Sequence, residues 1–292
     1  MEFVGTYTAL VTPFKDGELD MDAYRELLAT QAAAGLAGVV PCGCTGEAAT
    51  LAEKERRTLL ETALERVGDR LQVVAGTGTN STESTIRLTR EAEAAGAHAA
   101  MLITPYYNKP SQAGMLDHYR QVGDATELPL ILYNVPGRTG VTLSADTVAE
   151  LHRTGRFAAI KEAGGSIDAV SDIRAKSDIT VLSGDDSLTV AMLALGARGV
   201  VSVISNILPA AVRDMVAAAL EGDFKRASDL HFRLLPVMRA AFVESNPSPM
   251  KSMLASTGMM REDVRAPLAP VSSHNRDGIL RALETFNDGA AS

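Results

Sequence analysis

The sequence predicts an α/β protein: a parallel (β/α)8 TIM barrel over residues 1–224, followed by a C-terminal helical domain over residues 225–292. Two observations predict it. Short β-rich runs alternate with amphipathic stretches, and strand starts recur roughly every 30 residues, the length of one βα unit. After about residue 224 this strand rhythm stops and only helical patterns follow. A doubly wound nucleotide-binding sheet is the rival, and it would place a G-x-G-x-x-G turn after its first strand. Here "TPFKDGELD" stands there, and "GTGTN" after the third strand lacks the third glycine.

The predicted strands are Thr6–Val11, Gly38–Cys42, Gln72–Gly76, Ala99–Ile103, Leu130–Asn134, Ala158–Lys161, Thr180–Ser183 and Val200–Val203. Between them the helical patterns run Asp22–Ala34, Ala52–Val67, Thr82–Ala95, Gln112–Thr126, Ala145–His152, Ile167–Lys176, Ser187–Leu195 and Pro209–Glu221. Asn80, with an acid three residues on, predicts one helix start, and Ser144 and Ser166 predict two more. Gly35, Gly68, Gly96 and Gly196 stand where left-handed helix ends are expected. The tail reads as helices over Lys225–Glu244, Met250–Thr257 and Arg276–Phe286, joined by "SNPSP" and "RAPLAP".

Composition narrows the function. The chain has 292 residues, is 46% hydrophobic and carries a net charge of −8 with no basic stripe, which argues against nucleic-acid binding. No apolar run reaches membrane length and no charged leader precedes an apolar segment, so the expectation is a cytoplasmic protein without signal peptide or membrane contact. The only cysteines, Cys42 and Cys44, are too close along an extended strand for an unstrained disulfide, which fits a reducing compartment.

A barrel carries its chemistry at the C-terminal ends of its strands. His98, His118, His152, His231 and His274 do not converge there, so no metal site is expected, and Asp185 and Asp186 after the seventh strand would repel a phosphate. What the strand ends do offer is Lys161, Tyr133, Tyr107 and Arg138. Lys161 closes the apolar run "FAAI", and burial there favours the neutral, nucleophilic amine. Such an amine forms a Schiff base with a ketone, and the protonated imine is an electron sink for a carbanion. Phenols shuttle protons, and a guanidinium grips a carboxylate with two hydrogen bonds. Taken together these residues point to a cofactor-free carbon–carbon lyase acting on a 2-oxo acid. Taken singly, Lys161 could pair with Glu162 or Asp185, Tyr133 could be core, and Arg138 could be a surface ion pair.

"GCTGEAATL", "TPYYNKPSQ", "YNVPGRTG", "IKEA", "LSGDD" and "NPSPMK" closely resemble the bacterial dihydrodipicolinate synthase (4-hydroxy-tetrahydrodipicolinate synthase) family, in order through nearly the whole chain. "IKEA" after a tyrosine-bearing strand marks the wider pyruvate-dependent class I aldolases. The arginine of "YNVPGRTG" resembles the synthase, since the N-acetylneuraminate lyase and 2-keto-3-deoxygluconate aldolase branches usually lack it. The resemblance implies condensation of pyruvate with L-aspartate-4-semialdehyde, at the entry to diaminopimelate and lysine biosynthesis. It implies that Lys161 forms the imine and that Tyr133, Cys44 and a partner subunit's Tyr107 relay protons. Thr45 and the backbone at Val203 would hold the pyruvate carboxylate and nearby groups, Arg138 the semialdehyde carboxylate, in a homotetramer built as a dimer of dimers. Another Schiff-base aldolase, or a non-catalytic 2-oxo-acid binder, are the alternatives.

Two departures stand out. Cys44 occupies the place of a relay threonine. Of the lysine-inhibition site, Ala49, Asn80 and Tyr106 are retained, but Arg56 stands for the common histidine and Ser84 for the glutamate, with Glu83 one residue off the required helix face. Weak or absent lysine inhibition is expected.

Overall fold

The computed structural model describes residues 1–288. Eight parallel strands close into a barrel: β1 (Gly5–Ala9), β2 (Gly38–Val40), β3 (Gln72–Gly76), β4 (Ala99–Ile103), β5 (Leu130–Asn134), β6 (Phe157–Glu162), β7 (Thr180–Ser183) and β8 (Gly199–Ser202). Closure is made by β1, which pairs with β8 in the register Gly5↔Gly199 to Thr8↔Ser202 and with β2 on its other side.

The helices wrapping the barrel are α1 (Met21–Ala33), α2 (Glu53–Val67), α3 (Thr82–Ala94), α4 (Gln112–Asp124), α5 (Pro136–Thr139), α6 (Ala145–His152), α7 (Ile167–Lys176), α8 (Thr189–Ala194) and α9 (Pro209–Leu220). Three more follow: α10 (Phe224–Ala240), α11 (Ser248–Ser256) and α12 (Ser273–Asp288). Among the described residues, no helix is long and apolar enough to cross a membrane.

The two-residue side-chain period of a strand divides the core in two. Leu130 and Leu132 of β5 face the helices, and Ile131 and Tyr133 fill the barrel interior. On β6 Ile160 faces outward and Ala159 inward, so Lys161, two residues on from Ala159, falls on the inward side. The register sets Tyr133 beside Lys161.

The structure shifts several predicted boundaries. The helix expected over Lys225–Glu244 stops at Ala240, and the chain then turns so that Glu244 accepts from Ser272 N (3.1 Å) and Asn275 Nδ2 (2.8 Å) at the start of α12. The cap of α3 is Ser81 rather than Asn80: its hydroxyl accepts from Ser84 N at 3.3 Å. Gly35, Gly96 and Gly196 are left-handed as expected. Gly68, at φ −64°, is not, because its N–H continues the helical ladder to Leu64 O.

Two small elements are additions to the sequence reading. Phe14–Lys15 and Glu18–Leu19 form a hairpin across Asp16-Gly17, both at positive φ, the Asp-Gly pair favoured in such turns. The four-residue α5 begins on Pro136 and ends at left-handed Gly140 (φ 73°), the proline-first, glycine-last pattern of a capped helix, and it carries Arg138.

Candidate active site

Lys161 is only 4% exposed at the C-terminal mouth of the barrel, with Nζ 4.2 Å from the centroid of the Tyr133 ring. Burial is the main force on its amine and lowers the pKa to about 8, while Cys44, Asp186 and Asp185 pull the other way. Among the described residues Lys161 enters no ion pair. Its neighbour Glu162 points outward and accepts from Asn134 Nδ2 (2.9 Å) and Gly164 N (2.7 Å). Gly184 makes room: a Cβ there would lie 2.5 Å from Ala163 Cβ and 3.0 Å from Lys161 Cε.

Tyr133 is 5% exposed, and burial raises its phenol well above the usual tyrosine value. Cys44 raises it further, both by charge and as hydrogen-bond acceptor, and Arg138 offsets part of the effect. The phenol therefore stays protonated at neutral pH, ready to donate. Asp186 is buried and raised by burial, and its Oδ2 accepts from Val203 N (2.9 Å) and Ile204 N (3.2 Å).

These bonds decide what Val203 can offer. Its N–H is committed to Asp186, and its carbonyl accepts from Asn206 Nδ2 at 2.8 Å. The same carbonyl accepts from Asn206 N at 3.1 Å, so both of its lone pairs are already engaged within the chain.

Thr45, 4% exposed, accepts from Asn246 Nδ2 at 2.9 Å. Asn246 in turn accepts on its carbonyl from Arg138 Nη2 at 3.2 Å. Asn246 thus ties the β2 turn to α5, a role the motif "NPSPMK" contains and helical periodicity does not reveal.

A cavity of about 310 Å³ opens beside these groups, walled by Cys44, Tyr133, Arg138, Thr139, Met101 and Asn246, with Ala49, Tyr106 and Arg56 at one side. Thr45, Lys161, Asn80 and Tyr107 are not on this wall. Asn80 accepts on its carbonyl from Asn108 Nδ2 at 2.8 Å. Tyr107 is 88% exposed and held at φ 72°, a strained conformation for an aromatic residue. Among the described residues no group of three or more His, Cys, Asp or Glu is placed to hold a metal ion. A buried amine of lowered basicity, beside a protonated phenol with a thiol on the same cavity wall, can form an imine and move protons to and from it.

The sequence profile described as "Dihydrodipicolinate synthetase family" matches residues 2–286. The chain belongs to that family. It is 47% identical to the 4-hydroxy-tetrahydrodipicolinate synthase of Methanothrix thermoacetophila, over 98% of each chain. A relative of the same name from Syntrophobacter fumaroxidans is 46% identical over 97% of this chain and 99% of its own. The solved 4-hydroxy-tetrahydrodipicolinate synthase of the methanotroph Methylacidiphilum fumariolicum SolV superposes with a TM-score of 0.98 at 41% identity, covering 99% of this chain and 98% of that one. The barrel with its helical tail is therefore the family fold, and the buried lysine–tyrosine pair lies at its strand ends.

Proposed function

We propose that this protein is a 4-hydroxy-tetrahydrodipicolinate synthase, condensing pyruvate with L-aspartate-4-semialdehyde through an imine on Lys161. The observation that carries this reading is the Lys161 amine, buried against the Tyr133 ring and brought to a pKa of about 8. The near-complete match to synthases of that name supports it.

In this reading the neutral amine adds to the pyruvate ketone, and water leaves with a proton from Tyr133 to give the iminium. Loss of a methyl proton yields the enamine, whose carbon attacks the aldehyde of the second substrate. The amino group of that substrate then displaces Lys161 from the imine carbon, closing the ring and regenerating the enzyme. The Thr45 hydroxyl and turn amides hold the pyruvate carboxylate, and the Arg138 guanidinium takes the semialdehyde carboxylate. Cys44 passes protons between Tyr133 and Tyr107. The exposed Tyr107 reaches the site of a neighbouring subunit, so the active form is at least a dimer, assembled as a dimer of dimers in the cytoplasm. Residues 225–292 act as a separate helical domain that buttresses the barrel.

The test is pyruvate-dependent consumption of L-aspartate-4-semialdehyde, with borohydride trapping of pyruvate followed by mass spectrometry. Turnover and a pyruvate adduct on Lys161, both lost in Lys161→Ala, are expected. An adduct without semialdehyde turnover would move the assignment to another aldolase or a binder, and no adduct would overturn the Schiff-base reading.

A further inference from the structure

One buried charge pair lies outside the catalytic set. The Lys251 and Glu47 side chains are 0% and 1% exposed and bonded to each other through Nζ and Oε1. Lys251 Nζ also donates to Asp263 O at 2.8 Å and sits 4.3 Å from the centroid of the Phe14 ring. The second oxygen of Glu47 accepts from Arg265 N at 2.8 Å. The guanidinium of Arg265 lies over the other contact of the cluster, pairing with Glu55 at the start of α2 and lying 4.3 Å from the Phe14 ring centroid.

The pair adjoins the reacting groups in sequence. Glu47 follows Thr45 by two residues and ends the turn that carries Cys44, with its N–H on Cys44 O at 3.1 Å. Glu47 and Cys42, either side of the Cys44–Thr45 stretch, both hold left-handed φ values, 56° and 57°, which non-glycine residues adopt only when surroundings impose them. The tail grips this turn three times, through Asn246 on Thr45 and through Lys251 and Arg265 N on Glu47.

A buried ion pair is a weak source of stability, since replacing both partners with well-packed neutral side chains is often neutral or favourable. What it does supply is direction: two charges with all their partners filled admit one arrangement of the turn. We propose that Glu47 and Lys251 are positioning residues, clamping the turn so that Cys44 and Thr45 face Lys161 and Tyr133; Glu47 borders the cavity, but its carboxylate is 1% exposed and bonded into the tail, away from substrate. This inference rests on the Schiff-base reading above.

The experiment compares Glu47→Gln, Lys251→Met and the double variant Glu47→Gln/Lys251→Met with the wild type. Melting temperature, KM and kcat for pyruvate, and the rate of borohydride trapping are measured at 15 °C on variants with wild-type circular dichroism. Wild-type trapping is the control, so failure of the Schiff-base reading shows before any variant is compared. Each single variant should melt earlier. The double variant should recover the wild-type melting temperature, yet keep a tenfold or greater loss in kcat/KM for pyruvate and in trapping rate. Its Cys44 should also be alkylated faster than in the wild type. Recovery of both melting temperature and kcat/KM in the double variant would overturn the proposal, leaving the pair a packing device. Should the double variant not fold, Glu47→Asp keeps the charge and shortens its reach by one methylene. A tenfold fall in its kcat/KM supports clamping, and unchanged kinetics overturns it.

Discussion

Lys161 reacts only as the free amine, so its fractional neutralisation sets how fast the imine can form. With a pKa of about 8, against 10.5 for an ordinary lysine, roughly a tenth of it is neutral at pH 7, a gain of about 300-fold over the unshifted group. Because the shift is downward, the neutral form grows as pH rises. The rate of pyruvate trapping should increase about tenfold per pH unit below the inflection and level off above pH 8. An inflection near the ordinary lysine value would contradict the role of burial. Cys44 presents a second single-residue question. Both cysteines border the cavity, but Cys42 is buried, its thiol pushed up to about 11, and it donates to Arg56 O at 3.8 Å, whereas Cys44 is partly exposed. Iodoacetamide at pH 8 should therefore modify Cys44 first, with pyruvate protecting, and modify Cys42 only on unfolding. Cys44→Thr should match or exceed wild-type turnover, and a clear loss would mean the relay is adapted to sulfur.

Strand ends and helix caps mark how far local sequence reaches. The inward position of Lys161 follows from counting along "FAAIK", and the Ser144 and Ser166 caps follow from residue type, each accepting from the N–H three residues on. Gly68 departs from the expectation because a glycine near a helix end is free to be left-handed without being obliged to, and here its N–H extends the helical ladder to Leu64 O. The end of α10 at Ala240 was invisible because it answers to a distant demand: the chain must leave the helix for Asn246 to meet Thr45. Elements α2 and α3 bear on regulation. From α2, Arg56 donates through Nη1 to Gly76 O (3.4 Å) and through Nη2 to Ala48 O, so its cation is already tied to the backbone. Ser84 in the first turn of α3 brings no charge, and Glu83 beside it is solvent-exposed. At these two positions an incoming lysine would find the Arg56 cation and the uncharged Ser84. Ten-millimolar L-lysine should leave at least half of the activity, and strong inhibition at low millimolar concentration would contradict that geometry.

In the whole molecule, the fold was legible, because a barrel converts strand order into a ring of adjacent ends. That rule sets the candidates Lys161, Tyr133, Cys44 and Thr45 at or just beyond strand ends on one face, with Arg138 on the short helix after β5. The Asn246 and Glu47–Lys251 contacts could not be read this way, since they join segments 201 and 204 residues apart with no shared periodicity. In the dimer proposed above, Tyr107 belongs to a larger scale still. A tyrosine 88% exposed and conformationally strained is expensive to maintain in one subunit unless another uses it. Tyr107→Phe should lower kcat by about 10- to 100-fold. Mixing it with Lys161→Ala after dissociation and reassembly should restore activity, because a mixed dimer then holds one site with both groups intact. No recovery in verified mixed dimers would show that each subunit works alone.

The Glu47–Lys251 pair has a further consequence for biosynthesis of the chain. At ordinary translation rates, a separation of 204 residues means that the carboxylate emerges from the ribosome about 10–40 s before its counter-ion. The Asn246 and Lys251 contacts of the β2 turn can form only once the tail has been synthesised, after every strand of the ring. Late in that interval all eight strands exist while the Glu47 carboxylate, buried in the folded chain, still lacks its counter-ion.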